Sequence, residues 1–118
     1  MTKDFRVVLV TAPELELAEK LAQGIVSSRL AACVTLIPQA VSYYHWEGKL
    51  EKTPEVQLII KTKSGILPAL IRYIKEHHSA KVPEIIGLPV SEGDQNYLNW
   101  VGANTLFSKP DDDAPLPL

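Results

Sequence analysis

The adjacent histidines His77 and His78 are the best metal-ligand candidates in the chain, since imidazole nitrogen suits copper, zinc and nickel. Neighbouring side chains on a regular helix point about 100° apart, so both rings reach one ion only where the helix unwinds. The competing reading is a pair of helix-end histidines answering the negative end of the helix dipole. Cys33 can ligate a metal or act as a nucleophile. It sits in Ala31-Ala32-Cys33-Val34, where apolar neighbours favour simple packing and burial would leave the thiol inert. His45 lies between aromatic neighbours and reads as a surface histidine. Lys61 and Glu84 are charged residues beside apolar strands. They are expected to face each other across a cleft between subunits, with Tyr43, Trp46 or Trp100 as walls. Such a cleft would hold a small ligand or anion, or simply an interfacial ion pair. No glycine-rich phosphate loop, paired-carboxylate set or Ser-His-Asp arrangement is recognisable, so no reaction is named and the chain is not read as an enzyme.

These residues must be positioned by one small domain. The chain has 118 residues, of which 46% are hydrophobic and 22% charged, enough to fill a single core. A net charge of -2 gives no basic footprint for nucleic acid. The single cysteine forbids an internal disulfide and fits a reducing compartment. The N-terminus lacks the apolar core of a signal peptide, and no apolar run approaches the ~18 residues of a membrane span. The cytoplasm is therefore the expected location, with no membrane partner.

Phe5 to Val10 is short, β-branched and nearly all apolar, as expected of a central strand buried on both faces. Pro13 suits the first position of a helix, followed by Glu14 and Glu16 near the positive end of its dipole. Ala18, Leu21, Ala22, Ile25 and Val26 form one apolar stripe, which predicts a helix over 13–28. A second helix starts near Ser64-Gly65, tolerates Pro68 in its first turn and carries Leu67, Leu70, Ile71 and Ile74 on its stripe. Ile85 to Val90 is a short fourth strand whose Pro89 belongs at a sheet edge or bulge. Asp94 then caps a short helix carrying Tyr97, Leu98, Trp100 and Val101. Residues 1–107 form the domain, and 108–118 form an extended tail rich in proline and aspartate, whose Asp111-Asp112-Asp113 run reads as solvated.

Between the first two helices lie two long strand-like runs, Cys33 to Trp46 and Lys49 to Lys63, joined by Glu47-Gly48. The glycine supplies the positive φ of a tight reversal. Each arm would extend roughly 45 Å at about 3.3 Å per residue. A domain of this size has a radius of gyration of about 13–14 Å, so the hairpin must bend, project, or both. If the turn centres on Glu47-Gly48, Pro38 faces Gln57 and Pro54 faces Val41, and each proline marks an edge or bulge. On the tip, Val41, Tyr43 and His45 point one way while Ser42, Tyr44 and Trp46 point the other. A ribbon with rings on both faces exposes too much apolar surface for a lone chain, and another subunit is the simplest cover.

The fold class is thus α+β: a ferredoxin-like βαββαβ sandwich with a long bent hairpin between its second and third strands and a short C-terminal helix. The RNA-recognition module shares this strand order. The aromatic pairs it needs are missing from Phe5 to Val10 and from Val56 to Lys61, and the charge is wrong.

Several stretches resemble the CutA family of divalent-cation tolerance proteins. They are Leu30-Ala31-Ala32-Cys33-Val34, Tyr44-His45-Trp46-Glu47-Gly48-Lys49, Lys61-Thr62, His78, Val82-Pro83-Glu84-Ile85 and Tyr97-Leu98-Asn99-Trp100, in the family's order across about residues 5–104. The resemblance implies a compact homotrimer whose long hairpins pair between subunits. It implies a link to tolerance of copper and other divalent metals, with Cu2+ or another divalent cation weakly bound and no cofactor required. In eukaryotic relatives it implies a link to anchoring of a membrane esterase. The architecture also resembles the PII signalling proteins, which makes a signalling or scaffold trimer the alternative function. Two positions depart from the family pattern. His78-Ser79-Ala80-Lys81 stands where members often carry His-Pro-Tyr. Val10 stands where some bacterial members place a cysteine as a copper ligand beside the paired histidines.

Overall fold

The computed structural model describes residues 4–106, so the tail expected over 108–118 lies outside the described residues. The elements are β1 (Phe5–Ala12), α1 (Leu15–Ser27), β2 (Cys33–Trp46), β3 (Lys49–Lys63), α2 (Leu67–His77), β4 (Ile85–Pro89) and α3 (Gln95–Ala103). A single 3-10 turn, Ser64–Ile66, leads into α2. The four strands make one sheet in the order β2-β3-β1-β4, every neighbouring pair antiparallel. This is the mixed α+β, ferredoxin-like arrangement that the element order predicts.

Alternation along the strands sorts the core. Val8, Val10 and Ala12 of β1 and Leu58 and Ile60 of β3 are fully buried on one sheet face. They pack against Leu21 and Ile25 of α1 and Leu70 and Ile74 of α2. The opposite face is only partly covered. At one end Phe5 and Ala32 pack with Leu98 and Val101 of α3. Elsewhere on it Val7, Leu9 and Ile59 are half-buried, while Ile37, Ile86 and Leu88 are exposed. β1 is central, as expected, but in the single chain it is fully buried on one face alone.

Helix α1 starts later than its sequence pattern suggests. Glu14 is extended and takes the N-cap position, so Pro13 lies just outside the helix and not at its first position. The stripe is narrower too: Ala18, Leu21 and Ile25 are buried, whereas Val26 is exposed. The helix ends in a Schellman arrangement, with the N–H of Leu30 on the carbonyl of Ile25 and that of Arg29 on Val26. Arg29 takes the left-handed conformation usually left to glycine, with φ 58°. Pro68 lies in the first turn of α2, Pro89 lies on the edge strand β4, and Asp94 caps α3 by accepting the N–H of Tyr97 at 2.9 Å.

The hairpin turns at Glu47 and Gly48, with φ of 51° and 82°, the twin positive values of a two-residue reversal that matches strand twist. Val41 faces Pro54 as predicted, but Gln57 faces Ile37 and not Pro38. Between Ile37/Gln57 and Ala40/Glu55, Pro38 and Gln39 oppose the single residue Val56, which makes a bulge on β2. Gln39 absorbs the bend at φ 66°, and Pro38 has no N–H to lose from the ladder. The extra residue shifts the base register by one. Pro54 lies past the last β1 pair, Ala12 with Val56, where β3 has no second neighbour. The ribbon beyond it gives the molecule a long axis of 43 Å and a radius of gyration of 14.9 Å.

Candidate functional site

The end of α2 places the two histidines in different roles. His77 stacks on the Tyr73 ring with centroids 4.0 Å apart. Its Nδ1 donates to the Tyr73 carbonyl at 2.8 Å, so Nε2 carries the free lone pair of the neutral ring. That is how metal-binding imidazoles are commonly oriented, with the other ring N–H on a backbone carbonyl. His78 lies at the C-cap, where the backbone turns extended (ψ 146°) and leaves the helix. Its Nδ1 accepts the backbone N–H of Ala80 at 2.9 Å. A backbone amide only donates, so Nε2 carries the proton and donates to the Thr11 carbonyl at 2.7 Å. Both nitrogens of His78 are thus occupied by backbone.

The donor set fits a metal ion through one residue. His77 offers Nε2, while His78 offers nothing until its ring lets go of Ala80 or Thr11. Val10, fully buried in the core, supplies no third donor. No group of three or more His, Cys, Asp or Glu side chains among the described residues is compact enough to hold an ion.

The His78 bonds also fasten the segment from Ser79 to Glu84 against the end of β1. Opposite that segment stands the ribbon face bearing Ser42, Tyr44 and Trp46. Together they border an open cleft of about 640 Å³, within the usual range for small-molecule sites. Trp46 and Glu84, both expected at a cleft between subunits, line this cleft within one chain. Tyr43 borders it, but alternation puts its ring on the ribbon's other face, with Lys52 Nζ 5.8 Å from the ring centroid. Tyr44, whose hydroxyl bonds that of Thr53 at 2.9 Å, takes the wall position instead.

Cys33, Lys61 and Trp100 lie away from this cleft, near the base of the hairpin and α3. Lys61 faces Cys33 across the ladder, and its Nζ donates to Thr35 Oγ1 at 3.0 Å and approaches Cys33 Sγ at 3.9 Å. Cys33 is half-buried, not sealed in the core. Trp100 packs at 5.7 Å from Tyr97. Tyr97 has its phenol pushed above its usual value, first by desolvation and then by the negative charge of the Cys33 thiolate. Within one chain Lys61 and Glu84 form no ion pair, so any pairing between them must cross to a second copy. Within one chain the residues expected around a cleft between subunits therefore lie in two groups.

Sequence reasoning missed Thr11, Tyr44, Thr53, Glu55 and Lys81 as neighbours of the site. The turn register carries the signal for three of them, since it places Thr53 opposite Ser42, Glu55 opposite Ala40, and Tyr44 on the same face. Thr11 and Lys81 come to the cleft through the His78 contacts, for which no local pattern exists.

Comparison with known proteins agrees with this architecture. Residues 6–104 match the model of the CutA1 divalent ion tolerance proteins. The chain is 50% identical over 100 residues to the divalent-cation tolerance protein CutA of Yersinia pestis, covering 85% of this chain and 84% of that one. The solved structure of CutA1 from Oryza sativa superposes with a TM-score of 0.85 at 43% identity, covering 88% of this chain and 95% of the other. A protein from Archaeoglobus fulgidus described as periplasmic divalent cation tolerance protein CutA superposes at 0.82 with 34% identity, covering 85% and 97%. The fold, the matched span and these identities agree: the chain belongs to the CutA1 family of divalent ion tolerance proteins.

Proposed function

We propose that this protein acts as a homotrimer in the response to divalent cations, and that copper or another divalent ion is taken directly but weakly at His77 and His78. The observation that carries the metal reading is the open Nε2 of His77, held outward by the bond from Nδ1 to the Tyr73 carbonyl. His78 joins as a second ligand when its ring releases the Ala80 N–H. One ligand in place and one to be recruited suits reversible, low-affinity binding. The test is calorimetry with copper and zinc on the wild type and on the H77A/H78A double variant. Weak binding that vanishes in the variant is expected. Equal, negligible heats in both would remove the direct-ligand version.

The apolar residues left exposed on the half-covered sheet face and on the ribbon side bearing Val41, Tyr43 and Leu50 support assembly into a trimer. Sedimentation at micromolar concentration is expected to give three times the mass of one chain. A well-folded single-chain species would overturn it. In such a trimer Lys61 and Glu84 of different copies are free to pair. No helix among the described residues is long and apolar enough to cross a membrane. A cytoplasmic location belongs to the same reading, and protein fractionation tests it. The open cleft between ribbon and loop favours a second reading, a PII-like signalling or scaffold trimer acting through a small ligand or partner proteins. Its test is recovery of a stoichiometric partner, or a thermal shift with a ligand.

A further inference from the structure

The cleft between ribbon and loop, which His78 also lines, carries a charge pattern of its own. Glu55 reaches it from the ribbon and Glu84 from the loop, against the single cation Lys81. Among the described residues neither carboxylate forms an ion pair, and His78 has both nitrogens committed to backbone. Two aromatic side chains, Tyr44 and Trp46, line the same space, and the negative faces of such rings attract cations. Ser42, Thr53 and the Tyr44 hydroxyl add oxygen acceptors suited to N–H donors. The balance of groups disfavours an anion, which would meet two carboxylates for one ammonium. A bare metal ion is poorly served as well, because the described residues hold no compact group of three ligands.

We propose that this cleft binds a small organic cation bearing N–H groups, an alkylammonium or alkylguanidinium compound. Its charged head lies between Glu55 and Glu84 and donates to the hydroxyls, and its carbon body lies against Tyr44 and Trp46. The volume of about 640 Å³ admits a molecule of metabolite size. Lys81 opposes the head electrostatically and sets an upper bound on affinity. This site is separate from Nε2 of His77, so its failure and the failure of the metal reading are read in different experiments.

The test titrates the intact protein, in its own assembly state, with three probes of matched shape: 2-phenylethylammonium, uncharged 2-phenylethanol and anionic 3-phenylpropanoate. Backbone amide shifts of residues 42–55 and 79–84 and the fluorescence of Trp46 report binding. The cation is expected to bind tightest and the anion weakest. E55Q and E84Q are each expected to weaken the cation by about two- to fivefold, the range for solvent-accessible charge pairs. W46L is expected to weaken it similarly, as loss of a ring under a cation does. K81Q is expected to tighten it, a gain that no unfolded or damaged variant would mimic. The proposal is overturned if the three probes bind alike or not at all, if the glutamine variants bind the cation as the wild type does, or if K81Q weakens it. A cleft filled by a neighbouring copy would appear as no binding of any probe and overturns it equally.

Discussion

His78 Nε2 donates to the carbonyl of Thr11 across 2.7 Å, joining residues 67 positions apart. With Nδ1 accepting the Ala80 N–H, one ring pins the exit of α2 to the end of the central strand. The bond to Ala80 lies outside any regular element, so that amide should be protected only while the ring is in place. In H78A it is expected to exchange at the rate of an open loop, with a loss of stability of about 1–3 kcal/mol from the carbonyl of buried Thr11 left unpaired. Amide exchange and urea unfolding check both parts. An Ala80 amide that exchanges freely in the wild type would contradict the arrangement.

Gly24 of α1 lies where a Cβ would overlap the Tyr73 hydroxyl, at 1.8 Å, and crowd Cζ at 2.9 Å. Replacing a helical glycine by alanine ordinarily gains about 1 kcal/mol of helix propensity. Here the added methyl must push aside a rigid ring that is stacked on His77, and overpacking costs about 1–3 kcal/mol. G24A is therefore expected to be neutral to destabilising in thermal unfolding and to shift the His77 ring resonances. A gain in stability with unchanged His77 resonances would show that the helices accommodate the methyl without disturbing that stack.

The legible parts of this fold were those set by local rules. The strand order, the stripes of α1 and α2, the Asp94 cap and the Glu47-Gly48 reversal all follow from spacing and from the φ that a residue tolerates. The bulge was legible as a place, because Pro38 cannot donate to a ladder. It was not legible as a register, because Gln39 could have been counted on either side of the bend until the partner strand was known. The histidines were legible as metal-ligand candidates. What each nitrogen does was not, since the partners of His78 are a strand end and a loop amide. Within one chain the residues named for a cleft between subunits fall in two places, the ribbon tip and the hairpin base, and no local pattern tells these places apart. Charge and aromaticity mark a residue as interesting, but only the path of the chain from Ser79 to Glu84 decides which of them meet.

Arg29 occupies the position after the α1 C-cap at φ 58°, where its Cβ crowds the following carbonyl. Its carbonyl accepts the N–H of Leu106, so the backbone there is held from both sides. Glycine adopts this conformation without the steric cost of about 1 kcal/mol, and it keeps both backbone bonds. R29G is expected to raise the unfolding free energy by up to about 1 kcal/mol, offset in part by the greater freedom of glycine in the unfolded chain. A clear loss in denaturant titration would mean that the exposed arginine side chain makes a contribution of its own.

Tyr97 and Cys33 give the molecule an alkaline signature. The Tyr97 phenol lies above its ordinary value of 10.0, because partial burial disfavours the phenolate and the Cys33 thiolate repels it. The folded chain therefore holds that proton more firmly than the unfolded chain. Stability from this group is fully present below pH 10.0 and falls as the pH climbs from there through the raised folded value. Absorbance titration should show a late-titrating phenol that disappears in Y97F. C33S removes the smaller of the two causes and keeps the desolvation, so it should bring that phenol part of the way back. A Tyr97 that titrates with the others in the wild type would mean that α3 leaves its ring in water. If C33S left the late phenol unmoved, the thiolate would have no part in the shift.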